Sequence, residues 1–336
     1  MAKAQEERVL TWDELETGQE AAPTSIEVTS ETIANYARSL QDDNPIFFDD
    51  QAARGQGLDG VIASPSMNFV YAPARRLDIM HALGFISPEE ASVNPRSTPF
   101  VGADLHFQGV AVKPGDTITS TVKFANKWES KSGNRFVSIG VEARNQRGEK
   151  VVDYLYNIMW EFARGQKSRS GTAAPTPGQP EPEQAGGKVL DPSTVGFESV
   201  QVGDRLPTFQ RVITQDLING YSDLNNRGGP PNPTMLLHVD EAFAEATVFA
   251  GTTLQGPAAV GYLVLALQKG LGTRNVLNAS VTERALEPVR PGDTITYTGR
   301  VLDKREEGGK RLVEVEVTGT NQLGQTTAAA KATVPL

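Results

Sequence analysis

Apolar and polar residues change rhythm several times along this chain, and each change marks an element. SIEVT alternates and predicts a strand. SETIANYARSL follows with Ile33, Tyr36, Ala37 and Leu40 at helical spacing and with Thr29 or Ser30 as its N-cap. QDDNPIFFDD breaks that helix at Asn44–Pro45, DDQAARGQG predicts a second short helix, and GVIASPSMNFVYA follows. Pro73 to Thr98 lacks a period and reads as an insertion with one or two short helices. The rhythm then switches to alternation in ADLHFQGVAV, DTITSTVKFANKWES, RFVSIGVEARNQRG and KVVDYLYNIMWEFA. PGD, KSGN and RGE turns separate these runs, which predicts antiparallel strands. Helices first and strands later is an α+β layout.

Residues 165–187, GQKSRSGTAAPTPGQPEPEQAGG, contain almost no large apolar side chain and predict a linker between domains spanning 1–164 and 188–336. Beyond the linker the first half recurs. PGDTIT stands at Pro114–Thr119 and again at Pro291–Thr296. RFVSIGVEARNQRGE (Arg135–Glu149) corresponds to RLVEVEVTGTNQLGQ (Arg311–Gln325), and EVTSETIANY (Glu27–Tyr36) to VITQDLINGY (Val212–Tyr221). Turn chemistry alone could repeat PGDT by coincidence, but not three segments in one order. The chain is read as a tandem duplication.

Composition narrows the chemistry. With 336 residues there is length for two cores, and 38% hydrophobic with 22% charged residues is ordinary for a globular protein. A net charge of −9 without a basic stripe argues against nucleic acid. The absence of cysteine excludes disulfides, thiolate metal sites and a cysteine nucleophile, and three scattered histidines disfavour zinc. MAKAQEERVL lacks the apolar core of a signal peptide, and the longest apolar run, Ala258–Leu267, falls short of the ~20 residues that span a bilayer. The expectation is a soluble cytoplasmic protein with no membrane contact.

Candidate chemistry concentrates between Tyr221 and Asp240, YSDLNNRGGPPNPTMLLHVD. Here His238 is flanked by acids and amides in a proline- and glycine-rich loop between two helical runs. An imidazole in such a loop suits acid–base work. The other histidines, His81 in the insertion and His106 in an alternating strand, read as structural.

Several segments resemble one family. DDNPIFFDDQAA resembles the D-x-N-P-(I/L)-H-x-D signature of MaoC-like hydratases and of fatty acid synthase dehydratase domains. HVDEAFAEA resembles the second part of that signature. LQGPAAVGYLVLAL resembles the HGP-then-helix segment, and PGDTIT its strand turn. The resemblance spans nearly all of the chain except the linker and Pro73–Thr98. It implies an α+β double hotdog, each half a long central helix wrapped by an antiparallel β-sheet. The implied reaction is hydration of trans-2-enoyl thioesters or dehydration of (R)-3-hydroxyacyl thioesters, carried on CoA or acyl carrier protein, with no metal or redox cofactor.

By the same resemblance His238 is the base, and the N–H of Gly256, which opens the central helix, or that of the preceding Gln255, holds the thioester carbonyl. The partner of His238 is Asp223, Asn225 or Asn232, with Asp223 favoured. Gln255, in place of the usual His, and Asp240, after the catalytic His, join Asn225 and Asn232 as substrate contacts. Phe47 occupies the histidine position of the first half, which makes that half a degenerate copy lining an acyl channel, and Asp42 there reads as a cap or Asx-turn residue. In the first half Ser64–Pro65 occupies the position analogous to that of Gly256, and GVIASP there reads as scaffold rather than donor. A non-catalytic acyl-thioester binder, or an accessory subunit of a hetero-oligomeric dehydratase, is the alternative. A thioesterase fits the signature less well. Homodimer and hetero-oligomer both stay open.

Overall fold

The computed structural model describes residues 7–92, 95–161, 186–226, 232–247 and 249–336. The expected linker at 165–187 lies almost entirely outside them. Helices are α1 (Ser30–Ser39), α2 (Asp50–Gly55), α3 (Asn68–Tyr71), α4 (Arg76–Ala82), α5 (Gln215–Asn226), α6 (Leu236–Val239), α7 (Glu241–Glu245), α8 (Gly256–Leu271) and α9 (Thr273–Val276). Strands are β1 (Glu20–Glu27), β2 (Phe100–Phe107), β3 (Thr117–Glu129), β4 (Arg135–Arg144), β5 (Lys150–Glu161), β6 (Phe209–Val212), β7 (Ser280–Ala285), β8 (Thr294–Glu307), β9 (Lys310–Thr320) and β10 (Thr326–Pro335).

All ten strands join one antiparallel sheet in the order β1-β3-β4-β5-β2-β7-β10-β9-β8-β6. The order reads the same from either edge once β6–β10 are matched to β1–β5, so the duplication seen in the sequence is a two-fold arrangement in space. The halves meet where β2 pairs with β7, Ala103 opposite Glu283 and Leu105 opposite Val281. The expected strand Ala103–Val112 ends instead at Phe107, because Gly109 takes a left-handed φ of 77° that turns the chain out of the sheet.

The repeated PGD and NQ segments prove to be one device used twice. Gln146 donates to Asp116 Oδ1 at 2.8 Å and accepts from the Thr117 N–H at 3.0 Å. Gln322 does the same to Asp293 Oδ1 (2.9 Å) and the Thr294 N–H (2.9 Å). Each NQ turn therefore locks the PGD turn of the neighbouring hairpin, which explains why the two motifs recur together.

The sixteen-residue helix α8 is apolar on nearly every face, as its sequence predicts. Val260, Leu263, Val264, Leu267 and Leu271 are all fully buried. It packs on β2, β8, β9 and β10 and against the 3-10 turn Pro65–Met67 of the first half. Burying each such side chain contributes ~1.5–3 kcal/mol, so α8 is a principal contributor to the core.

The expectation of a long central helix in both halves is corrected here. The first-half counterpart is only the 3-10 turn Pro65–Met67 followed by α3, which stops at Tyr71. Pro73 is the cause: the residue before a proline is driven out of the α region, and Ala72 sits at φ −141°, ψ 65°. Among the described residues no helix is long and apolar enough to cross a membrane.

Candidate active site

A cavity of about 870 Å³ lies between the halves. The second half contributes Tyr221, Asn225, His238, Gln255 and Gly256, and the first half Phe100, Tyr156 and residues of the 76–98 segment.

His238 sits on α6, one turn beyond a 3-10 turn that Asn232 caps. The residue is half-buried and lines the cavity, and its ring places Nδ1 2.8 Å from the Thr253 carbonyl oxygen. A carbonyl only accepts, so Nδ1 carries the proton and Nε2 is left as the bare nitrogen. Desolvation pushes the imidazole down to about 4, opposed by the Thr253 carbonyl and reinforced by the positive charge of Arg76. The ring is therefore neutral at pH 7. Gln215 fixes the backbone beneath it. Its Nε2 donates to the His238 carbonyl at 2.9 Å, and its Oε1 accepts from Thr252 Oγ1 at 2.7 Å.

Helix α5 brings Ile218, Tyr221, Ser222 and Asn225 onto one face by their i, i+3, i+4, i+7 spacing. Tyr221 is fully buried, borders the cavity, and its hydroxyl has no hydrogen-bond partner. Asn225 borders the cavity too, and its Nδ2 donates to the Tyr221 carbonyl at 3.2 Å. Asp223 does not. One residue past Ser222 puts it about 100° around the helix, where it is exposed and lines a separate groove beside Thr32 and Asn35 of α1. The expected Asp223–His238 partnership is not formed, and Asn225 is the polar residue of α5 that shares a cavity with the imidazole.

Three other expected contacts also lie elsewhere. Asn232 is exposed and spends its side chain on the Thr234 N–H at 3.0 Å as an N-cap. Asp240 is exposed and caps α7 through the Phe243 N–H at 2.9 Å. Phe47 is 1% exposed and sealed in the core, and it does not border the cavity that His238 lines. Asp42 closes an Asx turn onto the Asn44 N–H at 3.1 Å, as expected. His106 pairs with Ser280 across the β2–β7 seam and His81 with Glu90, both as structural residues.

Gly256 opens α8 and borders the cavity. A Cβ at this position would stand 2.0 Å from Phe100 Cδ1, so only glycine lets the ring lie against the helix start. Among the described residues the Gly256 N–H donates to no acceptor, and Pro257 behind it has no N–H to offer. Gln255 is 1% exposed. Its Nε2 donates to the Ile218 carbonyl at 2.9 Å and to Ser222 Oγ, while Oε1 is unpartnered.

Sequence reasoning missed the part of the wall built from the insertion. Arg76 of α4 and Glu89 form a buried ion pair at 3.0 Å that borders the cavity. The segment has no repeat partner and no motif, so the only signal was a pair of opposite charges in an irregular stretch.

The family model for the FAS1-like dehydratase domain region matches residues 16–154 and 200–330. The chain belongs to this family. A UPF0336 protein of Streptomyces avermitilis is 31% identical over 146 residues, covering 42% of this chain and 90% of that protein. A MaoC domain dehydratase structure from Chloroflexus aurantiacus superposes with a TM-score of 0.67 at 16% identity, covering 100% of this chain and 99% of that one. A double-hotdog protein of Mycobacterium tuberculosis, described as essential for bacterial survival during infection, gives 0.60 at 13% identity, with 98% and 99% covered. At such identities the likeness shows the fold. This member of the FAS1-like dehydratase region family is an α+β double hotdog whose central helix is long in the second half alone.

Proposed function

We propose that the chain hydrates trans-2-enoyl thioesters, or runs the reverse dehydration of 3-hydroxyacyl thioesters, in the cavity bordered by His238 and Gly256. The observation that carries this reading is the pairing, in one cavity, of a neutral imidazole held as its Nδ1–H tautomer with an unspent backbone N–H at the start of a sixteen-residue helix. Adding water to the β-carbon builds negative charge on the thioester oxygen. A helix-start N–H in a desolvated site stabilises that charge without reorganising. The water oxygen bonds the β-carbon as its proton passes to His238 Nε2, and the imidazolium then returns that proton to the α-carbon as the enolate collapses; Asn225, on the same wall, supplies a hydrogen bond that holds the water. In the empty cavity the imidazole is a weak base, but an anion forming beside it favours the imidazolium and raises its basicity as the reaction proceeds.

Turnover of crotonyl-CoA and longer trans-2-enoyl-CoA tests the reading. His238→Ala is expected to lower kcat/KM by roughly 10²–10⁴ with an unchanged circular dichroism spectrum. Asn225→Ala should cost about tenfold, and Asp223→Ala nothing. No turnover by the intact chain, with acyl-CoA binding retained, would leave a thioester-binding protein instead; among the described residues no carboxylate is hydrogen-bonded to His238, which favours that second reading.

A further inference from the structure

The two halves differ at the PGD turn, and in the second half that turn borders the cavity. In the first half the basic residue ahead of the turn, Lys113, pairs through Nζ with Asp59 at 2.8 Å. Arg290 stands in the place of Lys113 in the second half. The Ala63 N–H bonds the Val112 carbonyl as the Leu254 N–H bonds that of Val289, so the register is the same. Ala250, four residues before Leu254, therefore occupies the place of Asp59, four before Ala63. The cation is kept and its carboxylate is gone.

Arg290 is half-buried and borders the cavity. Its Nη2 donates to the Phe249 carbonyl. Among the described residues no carboxylate pairs with the guanidinium, and Nε and Nη1 have no partner yet are not sealed from solvent. The acids nearest in sequence are already engaged. Asp293 Oδ2 accepts from the Arg290 N–H at 2.8 Å and Oδ1 from Gln322 at 2.9 Å, and Glu287 has a partner of its own. The neighbouring turn has changed in the same sense. Arg147, which pairs with Asp116 at 3.2 Å and Glu149 at 2.7 Å, is replaced by Leu323, and Glu149 by Gln325. Both replacements border the cavity.

We propose that Arg290 binds the phosphate of a phosphopantetheine handle, the anionic group nearest the thioester in both CoA and carrier-protein substrates. The inference rests on the proposed function for the identity of the ligand as an acyl thioester. The handle must leave the cavity to reach its nucleotide or its carrier protein. The turn behind Arg290 lies on the side open to solvent, with Pro291, Gly292 and Gln325 all exposed. A plain acyl chain carries no charge and gains nothing from a guanidinium. A phosphate accepts from two of its N–H groups at once, and the guanidinium keeps its charge at any working pH.

The test uses saturated hexanoyl thioesters, which cannot be hydrated. The CoA, phosphopantetheine and pantetheine forms are titrated calorimetrically into the full chain. Arg290→Gln should weaken the two phosphate-bearing probes about tenfold or more and leave the pantetheine probe unchanged. Ala250→Asp, which returns to the cation the carboxylate it has in the first half, should give the same selective loss without touching Arg290. Lys113→Gln should move none of the three. An equal loss on all probes would make Arg290 a residue of the fold alone and overturns the proposal. So does no loss on any probe, or a loss confined to CoA, which would place the contact on the nucleotide. Because none of the probes turns over, lack of hydratase activity leaves this readout intact. Turnover of crotonyl-CoA with a KM that Arg290→Gln does not move would keep the function and remove the phosphate site. Failure of the unaltered chain to bind any probe overturns both.

Discussion

The two copies of the loop before the central helix follow one plan and differ where chemistry is concerned. In the first, Asn44 caps a 3-10 turn begun by Pro45, and Asp49 caps the next helix through the Ala52 N–H at 2.7 Å. In the second, Asn232 caps a 3-10 turn begun by Pro233, and Asp240 caps the next helix through Phe243. Two residues before the capping Asp stands Phe47 in one copy and His238 in the other, with three extra residues between the caps of the second copy. Further on, the Ala63 N–H bonds the Val112 carbonyl and the Leu254 N–H bonds the Val289 carbonyl, each at 2.8 Å. That register puts Pro65 opposite Gly256. The first copy therefore lacks both the imidazole and the backbone donor, since proline has no N–H. The caps and turns, which hold the loop, are the same in both copies; the imidazole and the helix-start N–H are present in the second alone.

The contrast breaks most severely at Gly256. Gly256→Ala drives a Cβ into the Phe100 ring and displaces the donor, with an expected loss of ~10²–10³ in kcat. Phe100→Ala in the same chain should recover part of it by opening the space. At the first-copy counterpart, Pro65→Ala should leave turnover unchanged. Phe47→His probes the opposite direction. Because Phe47 is sealed in the core, the imidazole it brings would be buried away from the cavity, costing ~1–3 kcal/mol in denaturant unfolding without adding activity.

Acid sensitivity sharpens the same contrast. The His238 imidazole is pushed down to about 4, whereas an unfolded histidine titrates near 6.5. Between these values the unfolded chain binds a proton that the folded chain refuses. This site's stability is fully present above pH ~6.5 and falls as pH drops toward 4, by up to ~1.4 kcal/mol per unit. His238→Phe, which makes the second loop resemble the first, should flatten that part of the stability–pH curve. The wild-type rate should show no acid limb near 6.5.

How much of this was legible beforehand depended on whether a feature repeats or is local. The duplication, the α8 run and the paired turns were visible because each is written in contiguous residues that occur twice or keep one period. His238 was found from its place before Asp240. The orientation of Asp223 was within reach too, since Ile218, Tyr221, Ser222 and Asn225 define the inward face of α5 and Asp223 falls off it; the resemblance, which calls for an acid or amide beside His238, outweighed the helical phase. Arg76 and Glu89 were beyond reach. They lie in the one segment without a copy, and they reach a cavity bordered mainly by the other half. The broken first-half helix followed from Pro73, which a family template overrode.

The smallest expected effect is also the cleanest check that the two loops share one scaffold. Asp49→Ala and Asp240→Ala each remove an aspartate that accepts from the helix's second or third N–H, and both aspartates are exposed, so no cavity or core contact goes with them. Each should cost ~1 kcal/mol of stability. If the caps do the same work, the two losses agree within a few tenths of a kcal/mol and add in the double variant. An activity loss confined to Asp240→Ala, with stability losses matched, would mean that the cap of the second loop also sets the position of His238 two residues earlier. A stability loss confined to one of them would mean that the two copies no longer share the turn that the sequence repeats.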